Sequence, residues 1–339
     1  MTDGSDHKRK VRGLSVRSDG KETKRRSREK KDLDKQRSEV DGDDGNDGPQ
    51  SAQKVARRFE PFVETDETEA LVERIRNWWG AEQPVHLIGP TGCGKTTMAV
   101  QSAVARGRPI VWLEGDDAVD TAALVGEHAG KEQYAERDQY VRDVVKKKSI
   151  VRDRWVDNPL SVAAREGATL IYNEFSRSKP AANNVLLSAF EEGILERSTG
   201  RGADRTIDVH PDFRAILTSN SVEYAGVHRP QDALLDRLVG IHLGFYDRET
   251  EVEIVDSRVD DLDRENIEKI VTIVRGLREE MDVTVGTRAA VMAARGLTAF
   301  PPRDDLIVDI CTDVLASKVS SREEVEELRD QIDSIVGGM

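Results

Sequence analysis

The sequence has little cysteine, few aromatic side chains and no long apolar run, and each shortage removes a class of protein. Two cysteines in 339 residues, Cys93 and Cys311, cannot make a disulfide framework. Six histidines without any paired Cys–His spacing offer no zinc site. No run approaches the roughly 18–20 apolar residues of a bilayer span, and the N-terminus is charged from Asp3 onward, without the apolar core of a secretory signal. The expectation is a soluble, cytoplasmic protein of a reducing compartment, with no membrane partner. Lysine is scarce as well, outside the N-terminus. Residues 58–339 carry 35 basic against 52 acidic residues, a net of −17, and only 8 of those 35 are lysine. Residues 1–57 carry 16 against 12, a net of +4, so the whole-chain −13 is a sum of unlike parts. An acid-rich, lysine-poor body resembles salt-adapted proteins, whose self-repulsion is tolerated where 1 M salt shortens the Debye length to about 3 Å. It also argues against nucleic acid as a partner of the body.

What is present falls into three stretches. Residues 1–58 contain no aromatic residue and mix acids and bases with Gly and Ser, as in Lys24 to Lys35 and Asp41 to Gly48. Such a segment buries too little apolar surface to fold and reads as a disordered charged tail. From Phe59, short apolar runs alternate with helical stretches. Val85–Gly89, Ile110–Leu113, Thr169–Asn173, Phe213–Thr218 and Val239–Phe245 are candidate strands, each of the first four followed by a loop and a helical segment. That alternation predicts an α/β domain over 59–246, with a parallel five-stranded sheet between helices. Ile194–Thr199 and Thr206–Val209 flank Gly200-Arg201-Gly202 and read as an inserted hairpin. Residues 247–339 show only helical periodicity, as in Ile267, Ile270, Val271, Val274 and Leu277, then Val325, Leu328, Ile332 and Ile335, and read as a small helical domain. Pro301-Pro302 separates two of its helices. Lys146-Lys147-Lys148 reads as a solvated helix face, and the histidines carry no readable role.

The run Gly89-Pro90-Thr91-Gly92-Cys93-Gly94-Lys95-Thr96 follows the first strand and opens a helix. This is the phosphate-binding P-loop pattern. Glycines let backbone N–H groups and the helix N-terminus wrap an anion, Lys95 adds charge at the β- and γ-phosphates, and the Thr96 hydroxyl is a ligand for Mg²⁺. ATP and Mg²⁺ are therefore the expected cofactors. Cys93 reads as a small loop residue rather than a redox switch, since only Lys95 stands near to lower its pKa. Such a site is completed by an apolar strand ending in an acid, expected beside the P-loop strand. Thr169-Leu170-Ile171-Tyr172-Asn173-Glu174 supplies it, with Glu174 as general base or water-positioning group. Asn173 stands where an Asp usually helps hold the metal, and an amide oxygen is the weaker ligand for a hard cation. Asn220, ending the fourth run, reads as a γ-phosphate sensor or as a turn-forming Asn. Arg237 reads as an arginine acting on a neighbouring subunit's nucleotide or as an ion-pair partner of Asp236.

Together these residues resemble the AAA+ ATPases. Asn173 to Ser178, Leu186 to Glu192, Leu217 to Asn220 and Leu235-Asp236-Arg237 are similar to the MoxR-like group, while Arg154 to Asn158, Ala182 to Leu187, Glu223 to Arg229 and Phe245 to Glu251 resemble the gas vesicle protein N family. The likeness covers about residues 59–280. It implies an αβα domain with a C-terminal α-helical lid, Arg288 as a second sensor reaching the γ-phosphate across the cleft, and the Ile194–Val209 hairpin facing a pore or substrate. It further implies a Mg²⁺-dependent ATPase that is a homo-oligomer, as in a hexameric ring, and acts in a chaperone-like way on other gas vesicle proteins at the vesicle. Three other readings stay open at this point: a nucleotide-binding scaffold with little hydrolysis, a small-molecule kinase, and nucleic-acid remodelling through the basic tail.

Overall fold

The computed structural model describes residues 49–59, 61–136, 148–197, 205–220, 228–280 and 284–339. In chain order, helices α1 (Ala52–Ala56) and α2 (Asp66–Gly80) precede β1 (Val85–Gly89), α3 (Lys95–Arg106), β2 (Ile110–Glu114) and α4 (Thr121–Val125). A hairpin of β3 (Gly126–Glu136) and β4 (Lys148–Asp157) follows, then α5 (Pro159–Glu166), β5 (Thr169–Asn173) and α6 (Val185–Glu191). A short hairpin of β6 (Ile194–Glu196) and β7 (Thr206–Asp208) leads to β8 (Arg214–Asn220), α7 (Asp232–Leu235) and β9 (Val239–His242).

The five apolar runs form one all-parallel sheet in the order β2-β5-β8-β1-β9. Successive strand residues face opposite sides, and here both sides are packed. Val111, Leu170, Tyr172, Ala215 and Leu217 join one core with α5 and α6, while Ile110, Ile171, Ile216, Val85 and Leu87 join another with Met98, Ala99 and Ile75 of the helices opposite. Burial on both faces is why the runs are continuously apolar.

The structure departs from the expectations in four places. Residues 49–58, assigned to the tail, include helix α1, the buried Val55 and a bridge in which Gln50 pairs with Ile110, so the folded part starts ahead of Phe59. The rest of the tail lies outside the described residues, as do the Gly200-Arg201-Gly202 turn and residues 221–227. Strand β5 does not lie beside β1, because β8, which ends in Asn220, lies between them. The β3–β4 hairpin is an antiparallel ribbon absent from the sequence reading, and Lys148 starts its second strand rather than lying on a helix. Its strands, GEHAGKEQYAE and KSIVRDRWVD, hold polar clusters such as Lys131-Glu132-Gln133 and Arg152-Asp153-Arg154 and no apolar run longer than two residues. Finally, β9 stops at His242.

Beyond β9 the described residues form helices α8 (Arg248–Asp256), α9 (Arg264–Glu280), α10 (Thr287–Ala299), α11 (Leu306–Leu315) and α12 (Arg322–Gly337), with no further strand. They enclose their own core, in which Ile267, Ile270, Val271, Val274, Leu277, Leu328 and Ile332 are buried as their spacing requires, while Val325 and Ile335 are only partly covered. Pro301-Pro302 falls between α10 and α11. No helix among the described residues is long and apolar enough to cross a membrane.

Candidate functional site

The glycine-rich loop spans the gap between the last residue of β1 and the first of α3. Gly92 and Gly94 have φ of 82° and 90°, in the left-handed region that glycine adopts without a Cβ penalty. A Cβ on Gly92 would lie 3.0 Å from the Cα of Gly286, just ahead of α10, so loop and lid meet backbone to backbone. Lys95 is buried, and its ammonium donates to the carbonyls of Gly89 at 3.0 Å and Pro90 at 2.7 Å. Burial holds its pKa below the ordinary lysine value, with the Arg288 charge adding to that and Glu174 and Cys93 opposing it. Burial pushes the Cys93 thiol up in spite of the nearby Lys95 charge, the direction opposite to that of an activated thiol.

The C-terminal edge of the sheet gathers the polar residues. Thr96 Oγ1 donates to Asn173 Oδ1 at 2.9 Å, and Thr218 Oγ1 donates to the same oxygen at 2.8 Å. Asn173 Nδ2 donates to Glu114 Oε1 at 2.8 Å. A carboxylate only accepts, so this bond fixes which end of the amide faces Glu114. Glu174 leaves β5 in a left-handed conformation, φ 50°, its N–H bonded to Thr218 Oγ1 at 2.9 Å. Its carboxylate pairs with Arg177 at 2.9 Å. Asn220 stands opposite Gly89 in the β8–β1 register, level with the start of the loop. Glu114 and Thr218 were missed from sequence. Glu114 carries the same mark as Glu174, an acid ending an apolar strand, but only the strand order shows that it abuts Asn173.

A cleft of about 380 Å³ opens beside the loop. Gly92, Gly94, Thr97 and Arg288 line one part, and Phe62, Val63, Tyr246, Ile254 and Val291 another. Arg288 is thus brought to the loop from the first turn of α10. Its neighbour Thr287 belongs to a buried cluster: Glu251, 1% exposed, accepts from Thr287 Oγ1 at 2.5 Å, from Arg275 at 3.0 Å, and from both terminal nitrogens of Arg278 at 2.9 and 2.6 Å. The Arg278 guanidinium also lies 3.8 Å from the Phe245 ring centroid. Arg237 is not brought to this cleft's lining and does not pair with Asp236. It bonds Glu191 through Nε at 2.8 Å and the Ala233 carbonyl at 2.6 Å.

One histidine acquires a role. His86, buried within β1, bonds Ser219 Oγ at 2.7 Å and meets Phe175 edge to face. Burial, with a smaller contribution from His242, lowers its pKa from 6.5 to about 4. The fold therefore favours the neutral ring, and its contribution is complete above pH 6.5 and is lost as pH falls to about 4. The loss expected is about 3 kcal/mol of unfolding free energy. In urea unfolding at fixed salt, His86→Gln should remove that part of the acid slope.

Residues 84–238 match the family described as AAA domain (dynein-related subfamily). With the parallel sheet, the loop at the end of β1 and the helical lid, this defines an AAA-type nucleotide-binding ATPase. The chain is 56% identical to the gas vesicle ATPase GvpN of Haloferax mediterranei, over 100% of this chain and 99% of that protein. It is 56% identical to the gas vesicle ATPase GvpN2 of Halobacterium salinarum, over 98% and 97%. The protein NorQ of Paracoccus denitrificans is a more distant relative, 28% identical over 62% of this chain and 72% of its own length. The chain belongs to the gas vesicle ATPase GvpN family. Its acid-rich, lysine-poor composition fits haloarchaeal relatives.

Proposed function

We propose that the chain binds ATP with Mg²⁺ in this cleft and uses hydrolysis to remodel proteins of the gas vesicle during assembly and enlargement, working at the vesicle as a homo-oligomer. The observation that carries the reading is the convergence of the glycine loop, Lys95, Thr96, Asn173 and Glu174 at one sheet edge, with Arg288 of the lid lining the cleft beside Gly92 and Gly94 and its charge felt at Lys95. The donor set fits a magnesium–nucleotide pair: hydroxyl, amide and carboxylate oxygens suit a hard cation that keeps much of its water, and Gly92 and Gly94 leave a cradle without side chains. Thr96, with Asn173 behind it, would hold the ion, which supplies charge neutralisation at the phosphate oxygens.

The chain's own residues then have defined tasks. Lys95 exchanges the Gly89 and Pro90 carbonyls for phosphate oxygens, and Phe62, Val63 and Tyr246 offer apolar surface to the base. Glu174 gives up Arg177 and polarises the attacking water, with Asn220 orienting it. Arg288 and a neighbour's Arg237 tie lid and subunit interface to the γ-phosphate, so its departure releases both and moves the subunits against each other. The relatives' names supply the gas vesicle context, and shell or accessory proteins of the vesicle are the proposed client class.

The test is direct binding of ATP in concentrated KCl. Lys95→Ala removes a charge-assisted contact of about 1.5–3 kcal/mol, so affinity should fall about 10- to 100-fold. Cells carrying only that variant should lack full-sized vesicles. Normal vesicles in those cells would overturn an ATP-driven role. A scaffold reading draws on the Glu174–Arg177 pair, which keeps the base engaged. Phosphate release by the wild type, abolished in Glu174→Gln, would reject it.

A further inference from the structure

The side chain bonded to the Thr96 hydroxyl is an amide in this chain, and a carboxylate stands one strand away. Glu114 ends β2 in register with Asn173 at the end of β5. The two backbones are clamped beyond that pair: Gly115 N–H donates to the Asn173 carbonyl at 2.8 Å, and a Cβ on Gly115 would come within 2.2 Å of the Glu174 carbonyl oxygen. Only glycine lets β2 leave the sheet so close to Glu174. Glu114 is consequently fixed beside Asn173, its Oε1 accepting from the Asn173 amide at 2.8 Å and its Oε2 from Trp112 Nε1 at 3.2 Å.

The amide is suited to this place in a way that Asp is not. Its oxygen accepts from Thr96 and Thr218 while its NH₂ donates to Glu114. An Asp at 173 would lose the donor and set two carboxylates in contact, where like charges oppose ionisation of both. Resting on the nucleotide reading above, we propose that Glu114 supplies the negative charge of the metal seat, received by waters on the Mg²⁺ ion, and that Asn173 is the neutral bridge aligning Thr96 with it. Glu114 is thus a metal-positioning residue. The exposure of Glu114 at the sheet edge leaves room for such waters, and Mg²⁺ ordinarily retains several.

The experiment measures the metal, not turnover. Manganese(II) binding to the full chain with ADP is counted by electron paramagnetic resonance in concentrated KCl, and ADP affinity is taken with Mg²⁺ and with EDTA. Glu114→Gln should weaken manganese binding about 10- to 100-fold, the usual cost of losing an outer-shell partner, and shrink the ratio of the two ADP affinities in proportion. Asn173→Asp alone should not tighten the metal. The reciprocal swap Glu114→Gln/Asn173→Asp restores one carboxylate and one amide in contact and should return manganese affinity to within about threefold of the wild type. Unchanged manganese binding in Glu114→Gln, with ADP still bound in EDTA, would overturn the inference and leave the nucleotide reading standing. Failure of the wild type to bind ADP at all would overturn both. A swap no better than Glu114→Gln also rejects it, provided thermal unfolding shows the swap folded.

Discussion

Alanine at Arg237 is expected to lower ATP turnover by about 10³- to 10⁵-fold, the usual contribution of an arginine offered to a phosphoryl transition state from a neighbouring subunit. In the isolated chain this guanidinium is held by Glu191 and the Ala233 carbonyl, with its side chain 32% exposed and that of Glu191 56% exposed. A half-exposed pair of this kind is worth at most about 1 kcal/mol. A contact this weak leaves the guanidinium able to exchange its partner, as the proposed trans-acting role requires. Mixing separates this role from a local one. Arg237→Ala retains Glu174, and Glu174→Gln retains Arg237, so mixed assemblies contain some interfaces with both groups. Turnover should reappear on mixing, steeply dependent on total protein concentration. Two inactive variants that stay inactive together would sink the trans-acting role. Light scattering with and without ATP supplies the control, since the recovery requires assembly.

Replacing Glu251 by leucine should cost about 3–5 kcal/mol of stability, because it strands Arg275 and Arg278 around a buried site with no anion. Leucine keeps most of the volume, so the loss reports charge rather than a cavity. Urea unfolding at constant KCl measures it, and a change below about 1 kcal/mol would contradict the assignment. Glu251→Gln, able to accept from Thr287 and one arginine, should lie between leucine and the wild type. The same carboxylate anchors Thr287, the residue before Arg288, and Arg275 also donates to the Tyr246 carbonyl. Both variants should therefore raise the KM for ATP through the lid, beyond what their stability alone predicts.

Much of the fold is legible in the chain because it rests on local signals. The P-loop residues Gly89 to Thr96 are contiguous, and so is the apolar run ending in Asn173-Glu174. Strands buried on both faces must be apolar throughout, and the lid helices must repeat at three to four residues. The β3–β4 hairpin stayed hidden for the opposite reason: its strands carry neither a continuous apolar run nor a strict alternation, so periodicity cannot mark it. For Arg237 the sequence offers the adjacent Asp236 as the alternative ion-pair partner, whereas the side chain bonds Glu191, 46 positions away.

The residues by themselves determined the nucleotide loop, the α/β class with its helical end, and the acidity that makes local donors, not a general positive field, responsible for holding an anion. Tertiary structure alone decided which side chains share the site. It placed β8 between β1 and β5, set Glu114 against Asn173, turned Arg288 toward the loop and buried Glu251 under two arginines. The physical reason is that a strand's neighbours are chosen by packing and backbone pairing over the whole sheet. A carboxylate 59 positions from its amide leaves no trace in spacing.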